Sequence, residues 1–196
     1  MAMILSSLRN TVIAGIVLLI VFLILLTSVF PTNAAWDRQM ITVLFVWAHV
    51  ISGVMWIGLL YYFNFVQTPS MPKIPDEHKP AVSKVIAPTA LFWFRWGAMS
   101  TIITGLIVAH LQGYLPEALL FQVQPAIGVG MWLAIIMWFN VWFIIWPNQK
   151  RVLGLVEATA EVKARSAKIA GQASRINTML SIPMLWFMAT GFSHRL

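Results

Sequence analysis

Apolar residues dominate five stretches of this chain, at residues 11–30, 41–65, 90–110, 126–146 and 175–192. Each runs for about 20 positions, the length an α-helix needs to cross a bilayer core. The first has Arg9 before it and Asn33, Ala34 and Ala35 after it, as a signal peptide would. Its apolar run is longer than the roughly 7–15 residues of a signal core, so it reads as a membrane helix. Pro69, Pro72 and Pro75 break the chain after the second stretch into a polar loop with Lys73, Asp76, Glu77, Lys79 and Lys84. Gly113 and Pro116 follow the third stretch, and Pro147 closes the fourth. The inner loop 148–171 is charged, and its part 152–168 predicts an amphipathic surface helix. Leu153, Val156, Ala160 and Ala164 share one side of that helix, with Glu157, Glu161 and Arg165 opposite. The predicted architecture is all-α: a single membrane domain over 1–196, built as a bundle of five transmembrane helices.

Composition agrees. Of 196 residues, 60% are hydrophobic and 10% charged, against about 25% charged in a soluble domain. Mean hydropathy is +0.82. The absence of Cys excludes disulfides, thiolate zinc sites, iron–sulfur clusters and covalent c-type haem. The net charge of +7 reads as topology. Nine of the 13 Lys and Arg fall in the N-terminus, loop 67–89 and loop 147–171, and only Arg38 and Arg195 fall on the other side. The positive-inside rule then places the N-terminus inside and the C-terminus outside. The basic residues form no stripe with interleaved aromatics, so no nucleic-acid partner is expected; the lipid bilayer is. Trp36, Trp93, Trp96, Trp132, Trp142 and Trp146 lie near span ends and read as an interfacial belt. Trp47, Trp56, Trp138 and Trp186 lie deeper, where they would line a cofactor or a helix contact.

Polar groups inside spans are costly and mark candidate chemistry. On the outer side, His49, His110 and His194 come from three different helices, while His78 sits in the inner loop. Neutral imidazole is an axial ligand for haem iron. Gly53 lies one turn from His49 on the same face and would let a porphyrin approach. This suits haem b, with His49 as one ligand and His194 or His110 as the other; the bland alternative is interfacial caps and a helix–helix hydrogen bond. On the inner side, Asn64, Gln67, Arg95, Asn140, Asn148, Gln149, Arg175, Asn177 and Ser181 form a second group. They read either as polar glue between helices with snorkelling Arg, or as a site for an anionic or planar ligand. No carboxylate lies in any span, so an Asp/Glu proton relay and a Ca²⁺ or Mg²⁺ site are unsupported.

The string His49-Val-Ile-Ser-Gly-Val-Met-Trp56, with Gly58 and then Tyr61-Tyr62-Phe63, resembles the opening of the membrane domain of bacterial membrane-bound urate hydroxylases, the urate oxidase N-terminal family. Trp93-Phe-Arg-Trp-Gly-Ala98, Asn140-Val-Trp-Phe-Ile-Ile-Trp-Pro-Asn-Gln-Lys150 and Ser174-Arg-Ile-Asn-Thr-Met-Leu-Ser-Ile-Pro-Met-Leu185, with Ser193-His194, are similar in order and character. The resemblance runs from about residue 41 to 196. It implies that His49 and His194 match family histidines and that the chain has a redox role. In the urate hydroxylases a cytochrome c domain follows on the outer side. With no Cys and an end at Leu196, a short form lacking that domain is expected, with a separate protein as electron acceptor. The His49–Trp56 spacing is fainter in its likeness to small membrane protoporphyrinogen oxidases that bind haem b.

The expectation is therefore a haem-b protein or subunit of the bacterial inner (cytoplasmic) membrane, ligated by His49 and His194. It would pass electrons to a c-type cytochrome or a larger membrane redox complex. The alternatives are a non-catalytic subunit stabilising a respiratory or photosynthetic complex, and an oxidoreductase acting on urate or a porphyrinogen.

Overall fold

The structure is a computed structural model, and it describes residues 2–29, 37–122 and 125–191. All regular structure among the described residues is helical. The chain divides into two compact units, Met1–Ile41 and Thr42–Leu196. The first contains a helical turn, Ala2–Leu5, and helix α1, Leu8–Val29. No residue of α1 is buried. Its side chains are apolar on every face, as in a helix surrounded by lipid.

The second unit holds most of α2 (Arg38–Lys73), and then α3 (Lys79–Leu111), the short α4 (Leu115–Leu119), α5 (Pro125–Val152) and α6 (Ala160–Thr190). Helices α1, α2, α3 and α5 are long and apolar enough to cross a membrane. The boundaries differ from the sequence reading in one systematic way. Pro69 and Pro147 do not end their helices, because each is preceded by a π-helical turn, at Tyr62–Gln67 and Asn140–Ile145. A third such turn, Val82–Ile86, precedes Pro88. Proline cannot donate to the carbonyl four residues back, and its ring collides with that carbonyl. Those carbonyls belong to Phe65, Lys84 and Phe143, each inside a π turn. The wider turn makes room for the ring, and the helix continues.

The expected surface helix at 152–168 is split. Gly154 takes a left-handed conformation (φ +76°), which ends α5, and residues 153–159 form a turn. Thr159 then caps α6 by accepting from the Val162 amide. The last part of 152–168 and the fifth predicted span are thus one unbroken helix.

The core lies where α2, α3, α5 and α6 meet. Trp56, Leu60, Met137 and Val141 are completely enclosed, with Phe94 and Ala98 beside them. Small residues let the backbones close in. A Cβ on Gly97 would lie 3.2 Å from the Trp56 amide nitrogen, and one on Gly130 would lie 3.3 Å from the Met188 backbone.

Candidate functional site

His49 sits on α2 against α3. Its Nδ1 lies 2.9 Å from the Thr101 carbonyl oxygen. A carbonyl only accepts, so Nδ1 carries the proton and donates. In the neutral ring Nε2 then keeps its lone pair, and among the described residues Nε2 has no hydrogen-bond partner. The Thr104 hydroxyl stands 3.4 Å from the same Nδ1. The imidazole lies over Gly105: a Cβ there would come within 2.8 Å of His49 Cε1 and 3.0 Å of Nδ1. Any larger residue at 105 would displace the ring.

His49 borders a cavity of about 600 Å³ between the helices, almost wholly apolar in its lining. This is within the ~300–1,000 Å³ of small-molecule and cofactor sites. Gly53, Trp56, Gly105, Met131 and Met184 also line it. A Cβ on Gly53 would meet nothing nearer than Thr101 Cγ2 at 4.0 Å, so its small size opens the cavity rather than relieving a contact. Trp56 Nε1 is enclosed with no acceptor.

The other candidates fall in different places. His110 is exposed at the end of α3 and does not line the cavity. His194 lies outside the described residues. His78 is in the exposed turn between α2 and α3, 3.4 Å from Glu77. Among the described residues no group of three His, Asp or Glu converges as a metal site. A single imidazole with Nε2 unpartnered among the described residues, beside an apolar cavity of about 600 Å³, nevertheless fits a haem, which needs few protein donors.

The inner group is not one site. Asn177, fully buried, accepts from Asn140 Nδ2 (2.9 Å) and donates to the Met137 carbonyl (2.9 Å), tying α6 to α5. Asn64 donates to Ser174 Oγ (2.8 Å), and the Tyr61 and Ser181 hydroxyls pair at 3.0 Å, tying α6 to α2. These are helix–helix bonds, the polar-glue reading. Arg175 is exposed. Arg95 stands apart from the asparagines, buried with its guanidinium over the Trp146 ring at 3.3 Å. None of Arg95, Asn140, Arg175 and Asn177 lines the His49 cavity. Of the deep tryptophans, Trp56 reaches the cavity, while Trp47 and Trp186 are exposed.

Sequence reasoning missed Gly105. The available signal was a glycine in mid-helix, four residues after Thr101, where it carries a conformational cost unless a neighbour needs the space.

The model of the family described as "Urate oxidase N-terminal" matches residues 120–194. That stretch takes in α5 and α6 and ends at the position of His194. Over it the chain is similar to the family that the sequence motifs suggested; His49 and Arg95 lie outside the match. No curated protein and no solved structure matches the chain.

Proposed function

We propose that this chain is a membrane-embedded haem-b-binding protein or subunit that passes electrons to a c-type cytochrome or a larger redox complex. The observation that carries this reading is His49: one ring nitrogen held by the Thr101 carbonyl, the other without a partner among the described residues, beside an apolar cavity of about 600 Å³. A hydrogen bond on the distal nitrogen fixes the orientation of a ligating histidine and raises its basicity. His49 would hold the iron, with His194 as the second histidine implied by the family resemblance. The bound haem would supply one-electron chemistry. The protein's own contribution is to orient the imidazole through Thr101, leave room at Gly105 and exclude water with an apolar lining. The chain would cross a bacterial inner membrane five times, with the N-terminus inside and the histidines toward the outer side. That position suits an acceptor on that side.

Protein purified from cells supplied with haem is expected to show a reducible b-type spectrum, lost in His49→Ala. A colourless wild-type protein would overturn the proposal and favour a non-catalytic accessory subunit. The family match over 120–194 favours a second reading, an oxidoreductase that draws electrons from urate or a porphyrinogen. Substrate-dependent reduction of added cytochrome c would support it; no turnover with either substrate would remove it.

A further inference from the structure

Arg95 presents a problem of charge that the fold leaves unsolved. It keeps only 9% of its surface exposed, and its Nε and Nη1 are enclosed with no hydrogen-bond acceptor. Its contact is the Trp146 ring, 3.3 Å below the guanidinium carbon. A cation over an indole gains about 0.5–2 kcal/mol, which does not replace the hydrogen bonds of a desolvated guanidinium. A second cation is close: Lys150 Nζ stands 5.9 Å from the centroid of the same ring. The two charges are therefore no more than about 9 Å apart, near enough to repel in a half-buried setting. Among the described residues the ion pairs are Lys79–Asp76 and His78–Glu77, both in the turn between α2 and α3, so no carboxylate answers Arg95 or Lys150.

We infer that Arg95, Trp146 and Lys150 form a binding site for an oxyanion, a phosphate group above all. The planar guanidinium suits two oxygens at once, and Lys150 adds a mobile point charge. Trp146 holds the guanidinium plane in place. Arg95 lies ten residues before Gly105 on α3, about 15 Å of helix away. This site shares no residue with the His49 cavity and does not depend on haem. The phosphate has two possible sources, the headgroup of an anionic lipid or a free phosphate in solution.

The test uses the full chain. In one arm, thermal stability is measured in phosphatidylcholine nanodiscs containing increasing phosphatidylglycerol. In the other, the protein in neutral detergent is titrated with inorganic phosphate, with chloride matching the ionic strength. A saturable rise in Tm is expected in at least one arm. A rise with phosphatidylglycerol alone assigns a lipid headgroup; a rise with phosphate in detergent assigns a free anion. Arg95→Leu is expected to move the midpoint about tenfold or more, as the loss of charged hydrogen bonds would. Arg95→Lys and Lys150→Gln should each move it severalfold. No saturable rise in either arm overturns the site, as does an unchanged midpoint in Arg95→Leu. Should Arg95→Leu fail to fold, unchanged midpoints in both Arg95→Lys and Lys150→Gln overturn it equally.

Discussion

Glycines in these helices do unequal work, and substituting alanine separates them. At Gly171, on α6 and away from the His49 cavity, an added Cβ meets nothing within 4 Å. Gly171→Ala should therefore stabilise α6 by about 0.5–1 kcal/mol through the chain entropy that glycine wastes. The same entropic gain operates at Gly105, but there the new methyl would overlap the His49 imidazole at 2.8 Å. Overpacking of this kind costs about 1–3 kcal/mol, and what gives way is the ring that would ligate the iron. Gly105→Ala is expected to lower Tm slightly and to reduce haem retention sharply, while Gly171→Ala, outside the cavity, keeps haem at the wild-type level. Equal retention in the two variants would show that the fit of His49 over Gly105 has no bearing on the cofactor. At Gly128 the methyl would run into the Ala118 carbonyl, a backbone atom that cannot swing aside. Gly128→Ala should therefore cost stability without any selective effect on haem.

At the scale of elements, much of the fold was legible because lipid leaves the sequence little freedom. Backbone groups in a bilayer must pair within their own helix, so long apolar runs declare themselves, as the stretches now seen as α1, α2, α3 and α5 did. The π turns were not legible. Pro69 and Pro147 read as breaks because proline usually is one, and whether a helix absorbs it depends on packing from outside the segment. The Asn140–Asn177 pair was equally hidden, because 37 residues separate its members and only the docking of α5 on α6 joins them. These two features are connected. The π turn Asn140–Ile145 rotates the face of α5 just where Asn140 must reach α6. Pro147→Ala restores a donor and removes the reason for the turn. A double-mutant cycle with Asn140→Ala and Asn177→Ala should give a coupling of about 0.6–1.7 kcal/mol in the parent. In the Pro147→Ala background it should fall toward zero. An unchanged coupling would mean that the turn is held by something other than the proline.

At the scale of the whole molecule, the number of crossings turns on α6. With 31 residues it is about 46 Å long, well beyond the ~30 Å hydrocarbon core. Its first half carries Glu161, Lys163, Arg165 and Lys168 and cannot enter lipid cheaply. Its second half is apolar but short for a span, and it packs closely on α5 at Gly130. In the proposed five-span arrangement, packing against α5, together with Asn64, Asn140, Tyr61 and their partners, would compensate for the missing length. The proposed fifth crossing, from inside to outside, would keep the charged half on the inner side beside Lys150 and Arg151. The chain has no Cys, so single cysteines can report on this without a background. With an impermeant thiol reagent applied from outside to intact cells, Gln122→Cys should label and Glu77→Cys and Glu157→Cys should not. In inverted vesicles the pattern should reverse. A tag after Leu196 decides the fifth crossing. Accessibility from outside means that α6 crosses and carries the C-terminus toward the side of His49. Accessibility only from inside would leave four crossings, and would remove His194 from any site shared with His49.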